Sequence, residues 1–118
     1  MNRILVAEDN DSNYMLMQYI LKKHYDFFRA KNGQEAVEKA LSENPDMVLM
    51  DIKMPLMDGL EATRQIRMKN ADLPIIALTA NAFDSDRQLA IQAGCNGFLS
   101  KPVNAVTCIE AIKKILGE

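Results

Sequence analysis

The chain has 118 residues, of which 48% are hydrophobic and 25% are charged, and its net charge is −2 at pH 7. This length predicts a single domain over residues 1–118 without an output domain, and the composition is typical of a globular protein. The small net charge gives no electrostatic reason to expect direct binding to nucleic acid or to an anionic membrane, and no apolar run is long enough to span a bilayer.

Cysteine and histidine are too few for most metal and redox sites. Cys95 and Cys108 lack the spacing of a zinc site or of a CxxC redox pair, and the single histidine, His24, excludes a multi-histidine centre. The first residues, MNRILVAEDN, contain too short an apolar stretch for a signal peptide. We therefore expect reduced thiols in a cytoplasmic protein.

Short apolar runs and amphipathic stretches alternate along the chain. The apolar runs, which predict β-strands, are Ile4–Ala7, Asp26–Ala30, Met47–Met50, Ile75–Leu78 and Gly97–Leu99. Each run is followed by a stretch with helical spacing, and these stretches include Met15–Ile20, Ala36–Leu41, Leu60–Arg67, Leu89–Ala93 and Val106–Leu116. Pro45 and Pro74 precede the third and fourth strands, and Gly94 stands where the fourth helix is expected to end.

This alternation of strands and helices predicts the topology of the sheet. Five such units indicate right-handed βαβ crossovers and a parallel sheet covered on both faces. Strands one, three and four are almost entirely apolar and therefore central, whereas strand two carries Asp26 and Arg29 and suits an edge. We expect an α/β protein with a flavodoxin-like, doubly wound (βα)5 fold and the strand order 2-1-3-4-5. Ligands bind such sheets outside the carboxyl ends of the strands, where strands one and three diverge.

Polar side chains stand at the carboxyl ends of four predicted strands. Glu8 and Asp9 follow strand one, Asp51 follows strand three, Thr79 follows strand four, and Lys101 lies after strand five. Three crowded carboxylates repel one another unless a positive charge neutralises them, and Mg²⁺ suits carboxylates, water and phosphate oxygens. Together these residues predict phosphoryl transfer, with Asp51 as a nucleophile that forms an aspartyl phosphate.

At these residues the chain resembles the receiver domains of two-component response regulators. The likeness runs through ILVAEDN, MDIKMPLMDG, ALTA and FLSKP, and ALTANAF and AGCNGFLSKPV are similar to receivers of hybrid sensor kinases and phosphorelays. The resemblance implies a CheY-like signalling domain that takes a phosphoryl group from a phosphohistidine of a histidine kinase or histidine phosphotransfer protein. It implies a change of conformation and autodephosphorylation, but no enzymatic activity on other substrates.

The resemblance also assigns roles around the phosphoacceptor. It implies that Asp51 accepts the phosphoryl group, and that Asp9 and Asp51 bind Mg²⁺ together with the backbone carbonyl of Lys53. Glu8 is implied to bind the ion directly or to orient its water, and Mn²⁺ is an expected substitute for Mg²⁺. We further expect Lys53 and Asn81, which flank the site, to tune the lifetime of the phosphorylated state.

A second group of implied roles concerns the conformational switch. Thr79 and Lys101 are implied to contact the phosphoryl oxygens. Phe98 matches the aromatic switch position of the family, whose side chain moves inward when Thr79 is drawn to the phosphate. The peptide bond between Lys101 and Pro102 is implied to be cis, which is accessible because the second residue is proline.

Simpler interpretations exist for each residue taken alone. Glu8, Asp9 and Asn10 suit the N-terminus of a helix, and Asp51 suits a turn after a strand. The coincidence of polar residues at four strand ends favours a site instead. His24, in LKKHY, is interpreted as a structural cation at a helix C-terminus rather than as a phosphohistidine.

Three alternative functions belong to other classes of protein. A Mg²⁺-dependent aspartyl-phosphate phosphatase similar to the haloacid dehalogenases requires an acid two residues after the nucleophile, where this chain has Lys53. A nucleotide or flavin binder requires a glycine-rich phosphate loop after strand one, which is absent from the sequence. A receiver-like scaffold that is never phosphorylated is a third alternative; the intact set of acids, threonine and lysine argues against it, and labelling with acetyl phosphate decides between them. We expect a monomer or weak homodimer that either stands alone or is part of a hybrid kinase.

Overall fold

The structure is a computed structural model that describes residues 2–80 and 84–118. The described residues form five strands and five helices in strict alternation: β1 (Arg3–Ala7), α1 (Asp11–Leu21), β2 (Asp26–Ala30), α2 (Gly33–Ser42), β3 (Met47–Asp51), α3 (Gly59–Lys69), β4 (Ile75–Thr79), α4 (Asp84–Ala93), β5 (Gly97–Ser100) and α5 (Ala105–Leu116). All ten predicted elements are confirmed. No helix in these two ranges combines the length and apolarity needed to cross a membrane.

Three strands continue one residue past their predicted ends, to Asp51, Thr79 and Ser100. In the structure Asp51 pairs with Leu78, and Thr79 pairs with Ser100, as the last positions of their ladders. The apolar pattern of each strand ends one residue earlier, but a polar residue can still complete the backbone pairing of a parallel ladder. As a result, Asp51 and Thr79 are held by the sheet itself rather than by the turns that follow.

All strand pairs are parallel and follow the order β2-β1-β3-β4-β5, as predicted. Alternate residues of the central strands point to opposite faces, so each face has its own apolar core. In β1, Ile4 and Val6 pack with α1 and α5, whereas Leu5 and Ala7 pack with α2, α3 and α4. This burial on both faces explains the continuous apolar runs of the central strands.

The helices that follow β1, β2, β3 and β5 begin at side chains that cap them. Asn10, Asn32, Asp58 and Asn104 each accept a hydrogen bond from the backbone N–H three residues later, at 2.8–3.0 Å. Because these caps all follow strands, the positive ends of the four helix dipoles lie at the carboxyl end of the sheet. At α1 the capping side chain is Asn10, and Glu8 Oε2 accepts a hydrogen bond from Asn10 N at 3.2 Å.

Both cysteines are buried and neither forms a disulfide. Burial raises the pKa of the Cys95 thiol, and it raises the pKa of Cys108 to about 11. A thiol with a raised pKa is mostly protonated near neutral pH and is a poor nucleophile. Cys95 and Cys108 are therefore part of the packing of the two cores.

Candidate functional site

A cleft of about 370 Å³ opens at the carboxyl end of the sheet, beside the ends of β1, β3 and β4. Its lining includes five residues that the sequence predicted for the site: Glu8, Asp9, Asp51, Thr79 and Lys101. We call this the acidic cleft. The structure thus brings together side chains that are up to 93 positions apart in the chain, between Glu8 and Lys101.

The three acids of the acidic cleft lie close together in different surroundings. One carboxylate oxygen each of Glu8, Asp9 and Asp51 can be chosen so that all lie within 4.8 Å of one another. Glu8 and Asp51 are only 1% and 4% exposed, whereas Asp9 is exposed. Lys101 Nζ lies 2.9 Å from Glu8 Oε1 and 3.1 Å from Asp51 Oδ2. Lys101 is therefore a counterion shared by the two buried acids.

One ammonium group does not fully compensate this negative charge. Burial, followed by the hydrogen bond and the negative charge of Glu8, raises the pKa of Asp51 from its ordinary 3.8 to about 7, although Lys101 acts in the opposite direction. Burial by itself lowers the pKa of Lys101, but its hydrogen bonds and attraction to Glu8 and Asp51 outweigh this effect and raise the pKa overall. The acidic cleft therefore favours the uptake of further positive charge.

The donor set fits a hard divalent cation. Two oxygen ligands of Mg²⁺ lie at most about 4.2 Å apart, so the three carboxylates need to move only slightly closer to hold one. Glu8 Oε1 is buried, and the positive group beside it is the Lys101 ammonium at 2.9 Å, which is shared with Asp51. An acceptor of this kind is suited to a cation.

The backbone around Asp51 is held firmly. Lys53 N donates to Asp51 Oδ1 at 3.2 Å, and Gly59 N donates to the carbonyl of Ile52 at 2.7 Å. A Cβ atom at Gly59 would lie 2.1 Å from the carbonyl oxygen of Asp51, so only glycine permits this close approach of α3 to the end of β3. Asp51 is therefore fixed from both the sheet and the following helix.

Arg29 is a residue of the site that the sequence analysis interpreted only as a sign of an edge strand. Its Nε donates to the carbonyl of Glu8 at 3.0 Å, and its Nη2 donates to the carbonyl of Asp9 at 3.3 Å. The same guanidinium pairs with Asp11 at 2.9 Å. Arg29 thus fixes the turn that carries two of the acids. An arginine in an apolar strand beside β1 was the available signal, but its contact depends on the pairing of the two strands.

Asp86 is a second residue that the sequence analysis did not single out. It belongs to α4 and lines the acidic cleft, and its Oδ2 accepts a hydrogen bond from Thr79 Oγ1 at 3.3 Å. Thr79 is 4% exposed and Asp86 is half-buried. The sequence offered no direct signal for this pair, because one acid in a polar helix segment resembles many others.

The other predicted positions lie around the acidic cleft. Phe98 is half-buried in β5, and the guanidinium carbon of Arg87 lies 4.6 Å from the centre of its ring. The peptide bond between Lys101 and Pro102 is cis. Asn81 lies outside the described residues. His24 is exposed in the turn after α1, away from the acidic cleft.

Comparison with known proteins gives consistent results. Residues 4–113 match the family model of the response regulator receiver domain. The chain is 36% identical over 118 residues to the polar-differentiation response regulator DivK of Brucella anthropi, covering 98% of this chain and 96% of DivK.

Two solved structures show the same similarity. The receiver domain of the sensor histidine kinase PA1611 from Pseudomonas aeruginosa has a magnesium ion coordinated in its active site cleft. It matches with a TM-score of 0.92 and 36% identity over 99% of this chain and 98% of that one. The co-crystal structure of the Saccharomyces cerevisiae histidine phosphotransfer protein Ypd1 and the receiver domain of Ssk1 matches with a TM-score of 0.90 and 33% identity. This match covers 96% of this chain and 87% of that one.

Proposed function

The chain belongs to the response regulator receiver domain family of two-component signalling, and we propose that its phosphoacceptor is Asp51. The donor is a phosphohistidine of a histidine kinase or of a histidine phosphotransfer protein. One observation carries the proposal: the Asp51 carboxylate is fixed at the end of β3, lines the acidic cleft, and lies 3.1 Å from Lys101 Nζ. Positioning and charge neutralisation of this kind account for most of the catalysis of phosphoryl transfer.

The transfer uses the side chains of the acidic cleft in distinct ways. A carboxylate oxygen of Asp51 attacks phosphorus, the bond from phosphorus to the donor imidazole nitrogen breaks, and this nitrogen leaves with the electron pair and takes up a proton. Lys101 Nζ, which lies 3.1 Å from Asp51 Oδ2, contacts a phosphoryl oxygen in this proposal. The Thr79 hydroxyl, on the next strand, donates to another phosphoryl oxygen once it is released from its present acceptor.

The acids of the acidic cleft would hold the divalent ion. Glu8, Asp9, Asp51 and the backbone carbonyl of Lys53 are the groups that would hold Mg²⁺, or Mn²⁺ in its place. When bound, the ion supplies positive charge against the three carboxylates and the incoming phosphoryl oxygens. The raised pKa of Asp51 without an ion makes its anionic, nucleophilic form sensitive to this charge.

The response to phosphorylation depends on a balance between two conformations. A phosphoryl group adds about −1.5 to −2 charges at neutral pH, but it can shift only an equilibrium whose two states lie within a few kcal/mol. The switch residues of this proposal are Thr79 and Phe98, which lie at opposite ends of the segment that contains α4. Lys53 and Asn81 tune how long the phosphoryl group persists before hydrolysis.

Labelling with acetyl phosphate in Mg²⁺, followed by intact mass spectrometry, tests the assignment of Asp51. We expect the wild-type protein to gain one phosphoryl group and Asp51→Asn to gain none. Asp58→Asn is a matched control, because Asp58 is an exposed acid that caps α3. Asp58→Asn should label as the wild type does, and a chelator of Mg²⁺ should prevent labelling of the wild type and of Asp58→Asn.

The outcomes of this experiment separate the alternatives. Full labelling of Asp51→Asn would overturn the assignment of the phosphoacceptor. Failure of the wild-type protein to label with acetyl phosphate or with cognate phosphohistidine donors would favour the unphosphorylated scaffold. Turnover of small phosphomonoesters by the wild-type protein would instead favour the phosphatase.

A further inference from the structure

The first turns of α4 contact both switch residues at once. Asp86 accepts the hydrogen bond of Thr79 at 3.3 Å, and the next residue, Arg87, places its guanidinium carbon 4.6 Å from the centre of the Phe98 ring. Thr79 ends β4 and Phe98 belongs to β5, so two neighbouring residues of α4 contact two neighbouring strands. A shift of this helix segment would change both contacts together.

The hydroxyl of Thr79 cannot serve two acceptors equally. A threonine hydroxyl has a single hydrogen to donate. In this structure Thr79 Oγ1 donates it to a carboxylate oxygen of Asp86 within the acidic cleft. A phosphoryl group on Asp51 offers anionic oxygens in the same cleft, and these, like the carboxylate of Asp86, are strong acceptors for the hydroxyl. Phosphate and Asp86 therefore compete for the same donor.

From this competition, and resting on the proposed function, we propose that Asp86 is a positioning residue that holds Thr79 in the unphosphorylated conformation. Phosphorylation of Asp51 draws the hydroxyl away, and the hydrogen bond that connects Asp86 of α4 to the end of β4 is lost. The hydrogen bond to Asp86 thus opposes the phosphorylated state. Its removal should make the phosphorylated conformation easier to reach without adding any contact to the phosphoryl group.

Beryllofluoride, a non-covalent mimic of the phosphoryl group, provides a direct test. Its affinity in Mg²⁺ can be measured by isothermal titration calorimetry on the whole chain. We expect Asp86→Ala, which removes the acceptor, to bind beryllofluoride about three- to tenfold more tightly than the wild type, which corresponds to about 0.7 to 1.4 kcal/mol. Asp86→Asn keeps a neutral acceptor of similar shape and should show a smaller gain.

Two controls separate this effect from a general change of charge or of helix stability. Glu110→Gln removes one negative charge from an exposed position of α5, and Gln88→Ala alters an exposed position of α4. Both should bind beryllofluoride within twofold of the wild type. An equal gain in Glu110→Gln would overturn the proposal, because the gain would then follow from net charge alone.

A double-mutant cycle with Thr79→Val shows whether the effect of Asp86→Ala on beryllofluoride affinity depends on the Thr79 hydroxyl. If Asp86 acts through the Thr79 hydroxyl, Asp86→Ala should give less than a twofold gain in the Thr79→Val background, where that hydroxyl is absent. An undiminished gain in that background would overturn the proposal, since a merely structural role of Asp86 does not depend on Thr79. If Asp86→Ala does not fold, Asp86→Asn replaces it in the same cycle.

The same measurements distinguish failure of this inference from failure of the proposed function. If the wild-type protein neither labels with acetyl phosphate nor binds beryllofluoride, the proposed function itself is wrong. If the wild type binds beryllofluoride and Asp86→Ala binds it equally well, only the role of Asp86 is wrong.

Discussion

At the carboxyl end of the sheet, buried acids lie side by side, whereas at the amino end Arg67 connects neighbouring segments through a network of hydrogen bonds. Glu8 and Asp51 share the ammonium of Lys101, and the pKa of Asp51 is raised to about 7. At the amino end, Arg67 donates to the carbonyl of Gly94 at 2.8 Å, to Asn96 Oδ1 at 2.8 Å and to the carbonyl of Asn70 at 3.1 Å.

The two ends of the sheet differ in how fully their charged groups are compensated, not in how firmly their backbone is held. At the carboxyl end the backbone is held by helix caps, by Arg29 and by the close approach of Gly59 to Asp51, yet the carboxylates lack full compensation. At the amino end the donors of Arg67 meet three acceptors on two connections of the fold, one between α3 and β4 and the other between α4 and β5. One end therefore favours the binding of new charged groups, and the other stabilises the chain. Removing a charged side chain should therefore destabilise the protein at the amino end and stabilise it at the carboxyl end.

Arg67→Ala should produce the largest effect, a loss of about 2 to 3 kcal/mol in the free energy of unfolding, because several acceptors lose a charged donor. Chemical denaturation measures this loss. Arg64→Ala is a matched control on the same helix, since Arg64 forms one exposed ion pair with Glu61 at 3.3 Å, and it should cost less than about 0.5 kcal/mol. Acetyl phosphate labelling of folded Arg67→Ala should be unchanged. Equal destabilisation by the two substitutions would contradict the contrast between the ends of the sheet.

Asp51→Asn should instead stabilise the protein at neutral and alkaline pH without divalent ions. An acid whose folded-state pKa is raised contributes stability below its unfolded pKa of about 3.8, and this contribution is lost as the pH rises through about 7. Asparagine does not titrate, so the variant should exceed the wild type by about 1 to 2 kcal/mol at pH 8 and by much less at pH 4.

Thermal unfolding across this pH range, with and without Mg²⁺, checks the prediction for Asp51→Asn. Mg²⁺ should stabilise the wild type more than the variant and reduce the difference between them, because bound cation neutralises the acids. A wild-type protein that is more stable than Asp51→Asn at pH 8 without metal would show that Lys101 compensates the acids completely. The two ends of the sheet would then not differ in charge compensation.

The contrast between regular packing and individual side-chain contacts also explains which parts of the fold and of the acidic cleft the sequence could predict. Hydrophobic periodicity predicted every strand and helix and the strand order, because two-sided burial leaves a clear pattern in central strands. It also predicted that Glu8, Asp51 and Lys101 would meet, because parallel strands bring their carboxyl ends together. Arg29 and Asp86 were missed, since their partners are set by side-chain reach across strands and from α4 to β4. No local pattern encodes such distances.

Tyr25→Phe tests a second network at the amino end and should have the smallest effect. The Tyr25 hydroxyl donates to Glu118 Oε1 at 2.7 Å, Asn2 Nδ2 donates to Oε2 at 2.7 Å, and Tyr25 is 3% exposed. Burial, then the Glu118 hydrogen bond, raises the pKa of Tyr25 above its ordinary 10, so its contribution to stability is present below pH 10 and is lost as the pH rises further. We therefore expect the variant to lose about 1 kcal/mol in the free energy of unfolding at pH 8, and we expect the difference from the wild type to shrink above pH 10, as followed by denaturation.

Tyr19→Phe, at a residue that is 71% exposed, is the control and should change stability little at either pH. A difference that stays constant from pH 8 to strongly alkaline pH would mean that the hydroxyl contributes by packing alone, and that the amino end is not held by its hydrogen bonds.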